Sequence, residues 1–117
     1  MNFVPITLLG LWFLARDGMN IRGLREMAKP VIAAVHGPAV GIGCNYALAA
    51  DLRIATTAAR FGQVFSKIGL IPDGGSTYML PRLVGYPKAF ELMATGELVD
   101  AEQRQVHLVR PLAQFLL

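Results

Sequence analysis

The stretch PVIAAVHGPAVGIGCNYALAADLRIATT, residues 30–57, decides the fold class. It opens on an apolar, β-branched run closed by Gly37, a pattern that predicts a short strand buried on both faces. Gly41 and Gly43 follow, and the alanine-rich segment from Cys44 to Ala50 is built of helix formers. Residues 51–57, DLRIATT, alternate as a strand does. Strand, glycine turn, short helix and strand within 28 residues specify an α/β chain.

Upstream, FVPITLLGLWFLA, residues 3–15, is nearly unbroken in its apolar character. It is shorter than the ~20 residues that span a bilayer, lacks a basic flank and has no small-residue cleavage signal before Arg16 and Asp17. It reads as a core-facing or interface segment. Asp17-Gly18 signals a turn, and Leu24 and Met27 stand at helical spacing before Pro30 ends the pattern.

Downstream, ARFGQ at residues 59–63 suits another short strand, and Pro72-Asp73-Gly74-Gly75 centres a loop. A helical pattern through Met79, Leu80 and Leu83 has to tolerate Pro81. A second helix carries Pro87 near its start, Phe90 and Met93 three apart, and Gly96 as its stop. Asp100 is placed to cap a further helix. No internal repeat or low-complexity tract interrupts the chain.

Composition narrows the function classes. The 117 residues are 54% hydrophobic and 16% charged, which excludes intrinsic disorder and predicts apolar surface covered by something else. The net charge of +3 arises without a run of like charges, so nucleic acid is not expected as a partner and an anionic small ligand is permitted. One cysteine, Cys44, and two histidines, His36 and His107, make neither a disulfide framework nor a metal ligand set; no metal is expected, and a reducing cytoplasmic setting follows. Cys44 reads as core packing, and His36 as a packed side chain supporting the turn at Gly37.

The glycine loop invites an anion, and two familiar anions fail. A dinucleotide fingerprint needs a third small residue where Tyr46 stands and an acidic residue further on, but residues 56–66 hold none. A phosphate loop needs Lys then Ser or Thr where Cys44-Asn45 stand. Ser66 and Ser76 lack the glycine-flanked turn of a serine nucleophile. A helix N-terminus remains, with unpaired N–H groups suited to an oxyanion formed during reaction. The alternative is that the glycines only let strand and helix pack closely. Asp73 has two readings as well. If its loop turns inward, desolvation makes it a general base; otherwise its side chain caps the following helix, and both roles are compatible.

Residues 29–85, from KPVIAAVHG through VGIGCN, ADLRIA, ARFGQ and GLIPDGG to LPRLVG, resemble the enoyl-CoA hydratase/isomerase, or crotonase, superfamily, and the likeness runs on through KAFELMATGELVDAEQ at residues 88–103. The resemblance implies a partial ββα superhelix, an acyl-CoA thioester as substrate with no cofactor, and a homo-oligomer, trimer or hexamer. It places one oxyanion donor on the backbone N–H of Ile42, with Gly41 and Gly43 leaving room for the thioester. Asn45 and Phe65 stand where family hydratases carry two glutamates, which points away from addition of water. The two are expected to line the substrate site instead, Asn45 orienting substrate or a water molecule. Asp73 matches the aspartate of isomerase-type members, in which one carboxylate moves a proton while the enolate is held.

The resemblance divides the chain into an apolar segment unlike the family (1–28), a crotonase-like core (29–103) and a divergent tail (104–117). The region expected to supply the second oxyanion donor finds no match in residues 1–28. The core corresponds to about a third of a full family domain, so the chain reads as truncated at both ends. Isomerase-like chemistry leads; a non-catalytic fragment or assembly module, and an enoyl-CoA hydratase, are the alternatives.

Overall fold

The computed structural model describes residues 21–102 and the short strand 110–111. The apolar segment 3–15, the turn at Asp17-Gly18 and nearly all of the tail lie outside the described residues. After helix α1 (Ile21–Glu26) come β1 (Ile32–Val35), β2 (Pro38–Val40), α2 (Ile42–Ala49), β3 (Leu52–Ala55) and β4 (Arg60–Gly62). A 3₁₀ helix (Val64–Ile68), α3 (Ser76–Val84), α4 (Tyr86–Thr95), β5 (Leu98–Asp100) and β6 (Arg110–Pro111) complete the order.

Successive strands go to different sheets. β1 pairs in parallel with β3, Ile32 opposite Leu52, and β2 pairs in parallel with β4, Pro38 opposite Arg60. Each ββ unit therefore repeats one superhelical step later, so the chain rises as a staircase with one strand per sheet per turn. β6 extends the first sheet in parallel and β5 closes the second in antiparallel. This is the ββα superhelix that the resemblance implies.

α2 runs through the middle. Cys44, Asn45, Ala47, Leu48 and Ala49 are buried while Ile42, Gly43 and Tyr46 are exposed, so only one narrow strip of the helix meets solvent. Its alanines let Phe61, Leu80, Leu92 and Val99 approach closely in one core. At its C-terminus Arg53 folds back and donates through Nη1 to the carbonyls of Ala50 (2.7 Å) and Leu48 (3.1 Å). A cation placed there also complements the helix dipole. Burial pushes the Arg53 pKa down, helped by nearby Arg25 and opposed by Asp51.

Four sequence expectations change. β1 is not covered on both faces: Ala33 and Val35 pack on the core while Ile32 is 60% exposed, because among the described residues only one face of this sheet is covered. The same alternation carries His36 outward, so it is exposed rather than packed. In α1 the core contacts come from Ile21 and Leu24, and Met27 lies beyond the helix end. In α4 the spacing of Phe90 and Met93 does not mark a shared inward face: Ala89, Leu92 and Met93 pack on the core, whereas Phe90 is 62% exposed and stacks on Tyr86.

Other expectations stand. α3 contains Pro81, and the residue whose carbonyl it leaves without an intrahelical donor, Thr77, is on the exposed side. Gly96 closes α4 in the left-handed region. Asp100 ends β5, and its Oδ1 accepts the Glu102 N–H (3.0 Å) within a turn at 101–102; the helix expected from Asp100 lies outside the described residues. Among the described residues no helix is long and apolar enough to cross a membrane.

Candidate active site

The start of α2 organises the site. Gly41, at φ +56° and ψ −125°, takes a conformation open to glycine and turns β2 into the helix. Its N–H donates to Gly62 C=O (2.9 Å), and its C=O accepts the Asn45 N–H (3.1 Å). That second bond is the first rung of the helix, so the N–H groups of Ile42 and Gly43 precede the ladder and sit at the positive end of the dipole. Both residues are exposed, and a Cβ built on Gly43 meets nothing within 4 Å.

The Pro72–Gly75 loop docks onto this helix start. A Cβ built on Gly74 would stand 2.6 Å from Ile42 Cδ1, 2.9 Å from Asn45 Nδ2 and 3.0 Å from Ile21 Cδ1, and Gly74 has φ +56°. Glycine is therefore required twice over, by conformation and by space. The Asp73 carbonyl binds the loop to the core, accepting from Asn45 Nδ2 (2.7 Å), Ser76 Oγ (2.8 Å) and Ser76 N (3.0 Å).

The Asp73 side chain does not cap α3, whose N-cap position is Gly75 with no side-chain bond. Asp73 is exposed beside the helix start, so the burial expected of an inward-turned loop is absent. Asn45 is fully buried, and its other polar end, Oδ1, accepts from Gln63 Nε2 (2.7 Å). With Nδ2 on Asp73 C=O and Oδ1 on Gln63, the amide is taken up by the protein's own groups rather than turned toward a ligand. Phe65 is buried in the 3₁₀ helix, its ring 3.7 Å from where a Gly41 Cβ would lie. It packs beneath the turn.

A cleft of about 780 Å³ opens on the exposed strip of α2. Ile42 and Tyr46 form one wall, Ile21 and Arg25 of α1 another, and Gly74 and Tyr78 the third. Clefts of this size, mostly apolar with a few polar groups, suit small ligands. The lining residues Ile21, Tyr46 and Tyr78 were not among the candidates from sequence. Arg82 lies 3.5 Å over the Tyr78 ring and Arg22 pairs with Glu26 (2.6 Å) at the rim. Among the described residues no group of three potential metal ligands occurs.

The family model for enoyl-CoA hydratase/isomerase matches residues 15–110. This chain belongs to the enoyl-CoA hydratase/isomerase family. It is 47% identical over 83 residues to the 1,2-epoxyphenylacetyl-CoA isomerase of Escherichia coli, covering 71% of this chain and 32% of that protein. It is 43% identical over 94 residues to the crotonyl-CoA hydratase of Syntrophomonas wolfei, covering 80% and 36%. Among solved structures, an enoyl-CoA hydratase/isomerase from Cupriavidus metallidurans matches with TM-score 0.75 at 42% identity, covering 78% of this chain and 35% of that one. The chain spans about a third of the length of the relatives it matches.

Within the family frame the structure brings Gly41, Ile42, Asn45, Phe65 and Asp73 into one neighbourhood, although they span 32 positions of sequence. Ile42 faces the cleft; Asn45 and Phe65 lie behind it. Gly74 and Gln63 were missed as site residues. The signal for Gly74 was present in the Gly-Gly pair after Asp73, whereas Gln63 announces nothing until its partner across 18 residues is known. Cys44 is buried beside Gly62 and Gln63, and burial pushes its thiol up to about 11, so it is core packing and no nucleophile at neutral pH.

Proposed function

We propose that this chain binds an acyl-CoA thioester in the cleft and transfers a proton between carbons of its acyl group, as an isomerase. The observation that carries the reading is the 2.7 Å hydrogen bond from Asn45 Nδ2 to the Asp73 carbonyl, which ties the segment bearing Asp73 to the helix start that bears the Ile42 N–H. In the proposed step the Asp73 carboxylate accepts a proton from a carbon next to the unsaturation. The electron pair left behind delocalises onto the thioester oxygen, which takes the Ile42 N–H at the positive end of α2. The carboxylic acid returns the same proton to a different carbon, so the double bond moves and no water is consumed.

Relatives of similar identity carry both isomerase and hydratase names, so the choice rests on residues. A hydratase of the two-glutamate kind needs carboxylates to activate water. Here one of those positions is an amide, which accepts no proton at neutral pH, and the other is a phenyl ring. Assembly into a trimer or hexamer is part of the proposal, supported by Ile68, Leu70, Ile71, Tyr86 and Phe90, all exposed in the described chain.

The test is conversion of a 3-enoyl-CoA to its conjugated isomer, followed by ultraviolet absorbance. Loss of the general base predicts that Asp73→Asn lowers the rate by about 100- to 10,000-fold with little change in CoA-ester affinity. Equal rates in wild type and Asp73→Asn remove Asp73 from the mechanism. Hydration of crotonyl-CoA as fast as isomerisation supports the hydratase, and no calorimetric heat with any CoA ester, together with large soluble oligomers, supports an assembly module.

A further inference from the structure

Asn45 is buried, polar and linked to two other elements, which leaves the question of what its amide is for. Asp73 C=O can only accept, so the nitrogen of the Asn45 amide has to face the loop and Oδ1 has to face Gln63. Gln63 must then present Nε2, and its own Oε1 is left buried without a partner. The direction of the chain, Gln63 to Asn45 to Asp73 C=O, is thus imposed from the loop end, and the orphan acceptor is displaced to the far end of the network. Leaving a buried acceptor unpaired costs about 1–3 kcal/mol. The product of the arrangement is a loop held at one place on α2.

We infer that Asn45 is a positioning residue for Asp73: its amide donor clamps the Pro72–Gly75 loop, and with it the residue that bears the carboxylate, against the start of α2, a role that rests on the isomerase reading above. A carboxylate at this position has no donor and would confront the Asp73 carbonyl at hydrogen-bond distance. Exchanging Asn45 for a glutamate therefore does not convert the site into a hydratase; it releases the loop.

Asn45→Asp is the discriminating variant because it is nearly isosteric. Protonated, the introduced carboxyl donates to Asp73 C=O as the amide does; ionised, it repels it. Burial and the facing carbonyl both raise the pKa of such a group. The ionisable groups on the elements packed around it are Arg22, Arg25 and Glu26 of α1, Arg60 of β4, Lys67 of the 3₁₀ helix, Tyr78 and Arg82 of α3 and the exposed Asp73, with Tyr46 on the exposed strip of the same helix and Cys44 on that helix neutral up to about 11. The variant therefore keeps the clamp at pH 5 and loses it at pH 8.

The readout is the hydrogen-exchange protection of the Ser76 N–H, which donates to Asp73 C=O, against that of Leu52 N–H in the first sheet. Expected for Asn45→Asp is wild-type protection of Ser76 at pH 5 and at least a tenfold loss at pH 8, with Leu52 unchanged at both. In the isomerisation assay kcat of the variant, relative to wild type, falls tenfold or more over the same interval while KM stays level. Unchanged Ser76 protection at both pH values, or a kcat profile parallel to wild type, overturns the inference. If the variant does not fold, the wild-type Asn45 side-chain amide decides: slow exchange with solvent supports the clamp, and free exchange overturns it. If the chain isomerises no CoA ester, pH-dependent Ser76 protection still establishes the clamp on the loop, and the isomerase reading alone is discarded.

Discussion

Gly74→Ala measures how tightly the loop is seated on α2. Two penalties act on the substitution. A non-glycine residue in the left-handed region costs about 1–2 kcal/mol, and Gly74 has φ +56°. The added methyl also meets Ile42 Cδ1 at 2.6 Å, Asn45 Nδ2 at 2.9 Å and Ile21 Cδ1 at 3.0 Å. The two isoleucine methyls end flexible side chains and can yield, but Asn45 Nδ2 is held between Gln63 and Asp73 C=O, so the overpacking falls in the usual range of about 1–3 kcal/mol. Reduced freedom of the unfolded chain returns about 0.4–1 kcal/mol, leaving a net loss of about 2–4 kcal/mol.

Gly69→Ala is the matched control. Gly69 has φ +74°, but a Cβ there meets nothing within 4 Å, so only the conformational penalty applies. Urea unfolding of both variants should give a difference of about 1–3 kcal/mol, which is the contact between the loop and the helix start. Adding Ile42→Ala to Gly74→Ala should recover part of that difference, because residues in contact are not additive. Equal losses at Gly69 and Gly74, with no recovery in the double variant, would mean that the loop is not docked on Ile42 and Asn45, and the site as described would be wrong.

Two further outcomes follow from the core. Arg53→Met keeps the aliphatic stem but strips the C-terminal carbonyls of α2 of their donor, lowering stability by about 1–3 kcal/mol in the same unfolding assay, with Arg53→Lys recovering only part because one nitrogen replaces the planar fork. Cys44 is raised in the fold to about 11 against an ordinary value of 9.0, so the folded state binds the proton more tightly than the unfolded one. Stability is therefore fully present below pH 9 and is lost, by about 2–3 kcal/mol, as pH rises through 11. Cys44→Ala should flatten this alkaline loss, and a thiol reagent at pH 8 should label the wild-type chain only on unfolding.

The order of elements was legible from residues 30–57 because local rules act within each segment: glycine at the turn, alanines in the helix, alternation in DLRIA. The misreadings share one cause, which is that burial belongs to the sheet and not to the segment. PVIAAV is apolar throughout, yet its outward positions have no covering layer among the described residues, and Ile32, Ala34 and His36 are exposed together. Phe90 and Met93 stand three apart in sequence, but α4 meets the core through small Ala89, and the Phe90 ring lies outside. Local physics drew attention to the start of α2 and to Asp73, and the family resemblance then assigned roles to the Ile42 N–H and the Asp73 carboxylate. The amide network escaped notice because its members, at positions 45, 63 and 73, share no pattern along the chain.

The structure gives Asn45 a different meaning from the one its position in the motif carries. Read as a motif departure, it marks an absent hydratase carboxylate and nothing more. In the fold the same amide donates to the Asp73 carbonyl, so in the isomerase we propose the replacement that removes one base supplies the support for another. The proposed oxyanion donor is independent of this exchange, since a backbone N–H at the start of α2 survives any side chain at Ile42 that lets Gly41 keep its turn. On the isomerase reading we propose, one backbone feature serves both chemistries, and the choice between them falls to a pair 28 residues apart in sequence and 2.7 Å apart in space, the Asn45 amide buried and Asp73 exposed. In that proposal position 45 acts on the chemistry through the loop it holds, since Asn45 bonds the Asp73 carbonyl and does not line the cleft.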